Sequence, residues 1–361
     1  MTAEELSAEG LDVTVLDKRS DRLDAVADLP HVRSIQGNAI DMDFLRRSGV
    51  PEADVVYCLS EQDNTNLMIG QISAKLLKAK KVYVRVGELT HKCVFEEDNL
   101  EVISATGSLL ETLVTKADAP VPQTADFCKL HPPYPDRPSA EDSNLVIIVG
   151  GGKVGVSLAR ALNDSGHEVV LVEWKVEQAT WFSNTLGIPV IVGDGTTVPV
   201  LERAGAPRAR AVVSVTESDQ ANLIACQVAQ RYFKVPRPIA RANDPKNEDV
   251  MHALGLKSTI SSTAIIQRFI EQELPTIRIK SLLSLQRGAV QILEYDLVAG
   301  SPAVGKALKS MSLPKECNVV AVLREDATII PRGDTVFQAG DVVVSLIDSA
   351  HELDLRRMLV G

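Results

Sequence analysis

The hydrophobic positions of this chain fall into two rhythms. "LVIIV" (145–149) is an unbroken apolar run, the pattern of a strand buried on both faces of a parallel sheet. In "VGVSLARALN" (154–163), Val154, Leu158, Ala161 and Leu162 share one face at helical spacing. "EVVLVE" predicts the next strand, and "VEQATWFSNTLG" a helix closed by Gly187. "PVIVG", "AVVSVT" and "RPIARA" predict further strands, with the helix "NLIACQVAQRY" between the last two. Strands alternating with helices predict a doubly wound parallel sheet with right-handed crossovers.

The same rhythm occurs earlier. Shifted by 156 positions, "GLDVTVLD" (10–17) falls on "GHEVVLVE" (166–173), and "QGNAIDMDFLRRSGVP" (36–51) on "VGDGTTVPVLERAGAP" (192–207). "CLSEQDNTNL" (58–67) falls on "SVTESDQANL" (214–223), and Arg85 on Arg241. The chain therefore holds two copies of one unit. The expected fold class is α/β: two Rossmann-like doubly wound parallel-sheet domains plus a small C-terminal α+β domain. By the register, the first copy (1–116) lacks its first strand and glycine loop, which leaves its sheet with open ladder edges. A fragment of a longer protein, or a mis-assigned start, is the expected cause. Residues 117–144 carry six prolines and no period, and read as a linker. The second copy spans 145–274. Over 279–361, short strands such as "NVVAVLRE" and "VVVSLID" alternate with turns, and "VGKALKSM" and "HELDLRRML" read as helices.

Net charge is −10, which disfavours non-specific binding to nucleic acid. No run of 18 apolar residues is present, and "MTAEELSAEG" is too acidic and polar for a signal peptide. Five scattered cysteines without a CxxC pair argue against a disulfide framework and a zinc site, and fit a reducing cytoplasm.

Gly150-x-Gly152-x-x-Gly155 follows a strand and opens a helix, the context of a dinucleotide-binding turn. The first glycine makes the turn, the second lets main chain approach a diphosphate, and the third lets helix pack on strand. Gly151, Lys153 and Val154 complete the loop, and the anion would sit on the helix N-terminus. Glu173 ends the second strand, where a carboxylate accepts from ribose hydroxyls and disfavours a 2′-phosphate, an exclusion softened by Lys175. Asp17 is its counterpart in the first copy. A Walker A loop is excluded, since Gly-Lys-Ser/Thr is missing. "TESD" (216–219) and "SEQD" (60–63) follow the fourth strands, at the mouth of the ligand crevice. Asp219 and Asp63 also read as helix N-caps. Arg241 and Arg85 end strands at the same edge, and read either as structural ion pairs or as phosphate or inter-subunit contacts. The six histidines form no recognisable catalytic motif, and no Tyr-x-x-x-Lys pair or Ser/Cys–His constellation is present. Cys226 reads as core.

Together, "LVIIVGGGKVGVSLARAL", "VVLVE", "VIVGDGT…LERAG", "AVVSVTESDQANLIACQVA", "IARAND" and "VVAVLREDATIIPRGDTVFQAGDVVVSLI" resemble the TrkA family of Trk potassium-uptake regulatory proteins, built from regulator-of-K⁺-conductance (RCK) domains. The resemblance covers all but the linker, which stands where the family has a first C-terminal module. It implies NAD⁺/NADH binding, with ATP or ADP in some members, at Gly150–Gly155, Glu173, Asp194, Thr216, Glu217 and Arg241. Asp17, Ser60, Glu61 and Arg85 are the corresponding positions of the first copy. It implies a non-enzymatic subunit, cytoplasmic and peripheral on the inner face of the plasma membrane. The implied partner is a membrane potassium transporter or channel subunit (TrkH/TrkG-like), bound by a homo-oligomeric dimer or tetramer. The alternative from the glycine loop alone is an NAD-dependent oxidoreductase with an unrecognised catalytic site. The C-terminal pattern has no place in a dehydrogenase, although it suits a separate metabolite sensor.

Overall fold

The computed structural model describes residues 2–104, 128, 132–134, 143–273, 279–285, 290–325 and 327–361. The chain divides into two compact units, Met1–Ser262 and Thr263–Gly361.

In the first unit, the first copy runs α1 (Thr2–Ala8), β1 (Val13–Asp17), α2 (Ser20–Asp24), β2 (Val32–Gln36), α3 (Met42–Arg47), β3 (Val56–Cys58), α4 (Asp63–Gln71), β4 (Val82–Val86), α5 (Leu89–Phe95) and β5 (Leu100–Ser104). The second runs β6 (Leu145–Val149), α6 (Lys153–Asp164), β7 (Glu168–Glu173), α7 (Val176–Leu186), β8 (Val190–Val192), α8 (Val198–Arg203), β9 (Ala211–Ser214), α9 (Asp219–Arg231), β10 (Arg237–Ala242), α10 (Pro245–Ala253) and β11 (Ser258–Ser261).

The second copy forms one six-stranded parallel sheet in the order β11-β10-β9-β6-β7-β8. The central strand β6 is buried along its whole length, which is why its sequence shows no alternation. Gly187 closes α7 in the left-handed conformation (φ 65°), as its position at the helix end predicts.

In the first copy the sheet is in two pieces, β1-β2 and β3-β4-β5. The break falls where β6 stands between β7 and β9 in the second copy. Packing records the same difference. In the second copy Val213 and Val215 are buried in a cluster with Ala159 of α6 and Phe182 of α7. Their counterparts in the first, Tyr57 and Leu59, are 45% and 47% exposed.

The two copies share one aliphatic core, in which Leu67, Met68 and Ile72 join Leu223, Ile224 and Val228. Most of the proline-rich segment 117–144 lies outside the described residues. Within it, the Tyr134 N–H donates to Tyr232 O at 2.8 Å, and its ring packs on Tyr232 and Phe233. Cys128 forms a disulfide with Cys93 of α5. One disulfide is therefore present, against the expectation drawn from the scattered cysteines. The partners lie 35 residues apart, one on a helix and one in the proline-rich segment, so no spacing motif marks them.

The second unit opens with α11 (Ser262–Glu273), shared at its first residue with the first. It then forms a five-stranded antiparallel sheet of β12 (Ile279–Leu285), β13 (Val290–Asp296), β14 (Cys317–Arg324), β15 (Ala327–Ile329) and β16 (Val342–Asp348), in the order β12-β13-β16-β14-β15. The helix α12 (Glu352–Leu359) buries Leu355 and Leu359 against Tyr295, Phe337 and Ile347. This is the α+β module that the short-strand pattern predicts, except that "VGKALKSM" (304–311), read as a helix, forms only the single 3₁₀ turn Leu308–Ser310.

Candidate functional site

The parallel sheet of the second copy carries the C-terminal ends of β6, β7, β8, β9 and β10 to one edge, where open α/β sheets bind ligands. The glycines after β6 do different work there. Gly150 has φ 106°, a conformation that favours glycine, and a Cβ on it would lie 3.0 Å from Thr216 N. A Cβ on Gly151 would lie 2.4 Å from the Phe182 ring and 2.7 Å from Glu173 Oε2. One on Gly155 would come within 1.9 Å of Gly150 O. Packing of the protein on itself therefore requires these three. Gly152 is exposed, and a Cβ there would meet nothing within 4 Å. Of the four glycines it is the one that packing of the protein on itself leaves open.

Gly152 is also the N-cap of the twelve-residue α6, and no side chain caps the helix. The first turn holds no acid, and Lys153 and Val154 are exposed. Main-chain N–H groups and the positive end of the helix dipole thus face open space, an arrangement that suits a diphosphate.

Glu173 is 4% exposed. Its Oε2 accepts from Gly151 N at 2.7 Å and its Oε1 from Lys175 N at 2.9 Å. The carboxylate thereby joins the glycine turn to the end of β7. Two of its roughly four acceptor positions are used, which leaves capacity for ribose hydroxyls. Asp194 is exposed on the next loop, and its Oδ1 takes both Thr196 N (2.9 Å) and Thr196 Oγ1 (2.8 Å). Gly193 N donates to Glu173 O at 3.0 Å, so this loop adjoins Glu173.

Thr216 walls the turn at Gly150, and its N–H and Oγ1 both donate to Asn222 Oδ1 at 2.8 Å. The Asn222 amide in turn donates to Thr216 O and to Arg241 O, which ties the ends of β9 and β10 together. Glu217 is exposed at the rim. The Arg241 Nε donates to Ser262 Oγ at 3.0 Å. Among the described residues Arg241 forms no ion pair. Asn222 was not among the expected site residues. The signal for it was the asparagine at the same position of both copies, since Asn66 makes the same bonds to Ser60 N, Ser60 O and Arg85 O.

Asp63 and Asp219 do not cap their own helices, contrary to the reading of "SEQD" and "TESD". The N-caps are Gln62 and Ser218. The two carboxylates reach instead across to the next strand–helix turn, where Asp63 Oδ2 accepts from Gly87 N and Asp219 Oδ1 from Asn243 N.

The first-copy residues do not assemble in the same way. Asp17 Oδ1 accepts from Arg19 N. Glu61 pairs with Arg22 at 2.7 Å, which holds its carboxyl below the usual range. Ser60 is fixed by Asn66, and the Arg85 side chain is exposed. Among the described residues no glycine turn stands between them. Among the described residues no group of His, Cys, Asp and Glu could hold a metal, and no helix is long and apolar enough to cross a membrane. Cys226 is buried in α9, where desolvation pushes its thiol up to about 12.

The TrkA-N domain model matches residues 1–105 and 146–262, and the TrkA-C domain model matches 292–360. A Trk system potassium uptake protein TrkA homolog of Methanothermobacter thermautotrophicus is 30% identical over 216 residues, covering 60% of this chain and 99% of that one. One from Archaeoglobus fulgidus is 27% identical over 400 residues, covering 91% and 90%. The crystal structure of the GsuK RCK domain aligns over 99% of this chain and 91% of that one, at 16% identity and a TM-score of 0.35, a fit too loose to argue from.

Proposed function

Because this chain belongs to the TrkA-N domain family, we propose that it is a nucleotide-binding regulatory subunit of a potassium uptake system. NAD(H) is the proposed ligand of the second copy, with ADP or ATP as further effectors at the same turn. Gly150–Gly155 would take the diphosphate on the first turn of α6. Glu173 would accept from ribose hydroxyls, and Asp194, Thr216, Glu217 and Arg241 would border the ligand. Asp17, Ser60, Glu61 and Arg85 form the equivalent edge of the first copy.

The single observation that carries this reading is Gly152, a helix cap with no cap bond whose missing side chain faces open space while its three neighbours are packed tight. The proposed ligand acts as a signal. Its binding would favour one arrangement of the domains over another, with a coupling of about 1–3 kcal/mol passed to a membrane potassium transporter or channel subunit of the TrkH/TrkG kind. That role places the protein at the cytoplasmic face of the plasma membrane, as a homo-oligomer. Calorimetry with NADH tests the site. The wild type binds, and Gly152→Asp, which sets a carboxylate against the diphosphate, does not. Equal affinity in the two proteins overturns the assignment.

A further inference from the structure

The repeat pairs each residue of the first copy with one 156 positions on, and at one pair the chemistry differs while the frame stays the same. In the second copy the Asp219 carboxylate is buried and saturated. It accepts from the N–H groups of Asn243 (2.6 Å) and Asp244 (3.1 Å), and from the amides of Asn243 (2.8 Å) and Asn247 (2.7 Å). In the first copy Asp63 accepts from the equivalent N–H groups of Gly87 (2.8 Å) and Glu88 (3.0 Å). Gly87 has no amide to offer, and His91 stands where Asn247 does. A permanent donor has been exchanged for an imidazole.

His91 is 1% exposed, and its two nitrogens face different partners. Nε2 lies 3.0 Å from the Thr196 carbonyl oxygen of the second copy. That oxygen can only accept, so Nε2 carries a hydrogen. In the neutral ring Nδ1 is then a bare lone pair. It has no hydrogen-bond partner, and it faces Asp63 Oδ2 at 3.8 Å. Two acceptors oppose each other inside the protein, an arrangement that a second ring proton would turn into a charged pair.

The other charged groups nearby are already engaged. On α5, Glu88 accepts from Thr90, and Lys92 pairs with Glu96. Phe95 packs edge-on to the imidazole, and Arg231 of α9 lies over Phe95 while paired with Glu97. On the second copy's loop, Asp194 is occupied by Thr196. Among the described residues Asp63 on α4 is the charge left for His91 to meet. Although burial pushes its carboxyl up, a charged His91 ring together with the Glu88 and Gly87 N–H groups outweighs it and holds the carboxyl below the usual range.

We propose that His91 is a proton-dependent positioning residue for the nucleotide site of the second copy. Its Nε2–H holds the Thr196 carbonyl, and through it the turn that fixes Asp194. A proton on Nδ1 locks the ring between Asp63 and Thr196, so the Asp194 loop is held ready for ligand. This inference rests on the reading of that loop as part of the nucleotide site.

The test titrates NAD⁺, whose diphosphate keeps its charge over the range used, against the full chain at pH 5.5 and pH 8. Wild-type affinity is expected to be about fivefold tighter at the lower pH, within the usual range of site-to-site coupling. His91→Asn restores the second copy's permanent donor to the aspartate but gives up the Nε2 bond to Thr196 O, so its affinity becomes independent of pH and stays at the weak level. NAD⁺ binding with the same pH dependence in both proteins overturns the role of His91 and leaves the site intact. Absence of NAD⁺ binding at every pH sinks the site itself. In that case the histidine is judged by NMR on ¹³C-histidine protein, with the His91 resonance identified by its loss in His91→Asn. The change in the His91 signal between pH 5.5 and pH 8 is expected to be smaller in Asp63→Asn than in the wild type, and an equal change in both overturns the link.

Discussion

Gln71 and Gln227 donate to each other, Gln71 Nε2 to Gln227 Oε1 at 3.0 Å and Gln227 Nε2 to Gln71 Oε1 at 2.9 Å. They are equivalent residues of the two copies, and both are fully buried. A residue that meets its own counterpart marks a local two-fold axis, here between α4 and α9, so the copies associate through the same surface on each. Around this axis Glu97 takes both members of another equivalent pair, Lys75 at 2.6 Å and Arg231 at 3.3 Å.

Cutting one amide from this pair leaves the other buried with unmet bonds. Gln71→Ala is therefore expected to destabilise the first unit by about 1–3 kcal/mol. Replacing both residues with leucine removes both amides at once, leaving only Leu254 O and an Arg231 nitrogen to give up a bond, and is expected to cost less than the two alanine variants together. Urea unfolding of the four proteins checks this, and simple additivity would show that the amides do not act as a pair.

The glycines of the turn separate stability from binding. Gly155→Ala forces a methyl to within 1.9 Å of Gly150 O, a main-chain atom that cannot swing away. Its expected cost is about 1–3 kcal/mol or more. Gly152→Ala meets no atom of the protein within 4 Å. It should melt like the wild type and still bind NADH more weakly. Thermal melts set beside calorimetry distinguish them, and matching melting temperatures for the two variants would show that Gly155 is not needed for packing.

Much of the second copy was legible because its signals are local. An unbroken apolar run, a glycine turn and a helical stripe need only neighbouring residues to be read, and β6, Gly150–Gly155 and α6 stand where that pattern places them. The split in the first sheet was legible from the repeat register. What escaped was contact across the chain. Asp63 and Asp219 have the composition of caps, yet they bond to turns 24 residues away, where no helix-start rule looks. His91 carried no motif, because Thr196, its partner, belongs to the other copy. The Gln71–Gln227 pair is invisible until α4 and α9 are packed. Two lone cysteines say nothing of each other until one segment folds onto another.

That cysteine pair makes a labelling pattern. Five cysteines are present, and Cys58, Cys226 and Cys317 are free. Burial pushes the Cys58 and Cys226 thiols up to about 12 and that of Cys317 up to about 11, so all three should alkylate slowly in the native protein. Unfolded without reductant, the chain is expected to take three labels by mass spectrometry, and five after reduction. Five labels without reductant would show that Cys93 and Cys128 are not joined. The bond closes a loop across a separation of 35 residues, so reduction is expected to destabilise the first unit by up to about 3–4 kcal/mol.

The second unit has its own acid limit, set by Asp341. Its carboxylate is buried and accepts from Arg324 Nε at 2.7 Å, from an Arg324 terminal nitrogen at 2.8 Å and from Gln338 N at 2.8 Å. Burial pushes the carboxyl up, but Arg324 and the Gln338 N–H outweigh it and hold it below the usual range. A carboxyl whose folded value is depressed binds protons more weakly in the folded chain than in the unfolded one. Its stabilising effect is therefore complete above the unfolded value of about 3.9, and fades as pH falls through the lower folded value. Between pH 8 and pH 5 this group should leave the stability of residues 263–361 unchanged, with a steep loss below about pH 4. Asp341→Asn should weaken the unit by about 2–3 kcal/mol at pH 7 and flatten its acid transition, since Arg324 keeps one face to solvent and loses only part of its partner. Denaturant midpoints at stepped pH values measure both effects. An acid transition of the same depth in Asp341→Asn would move the responsibility to another carboxylate.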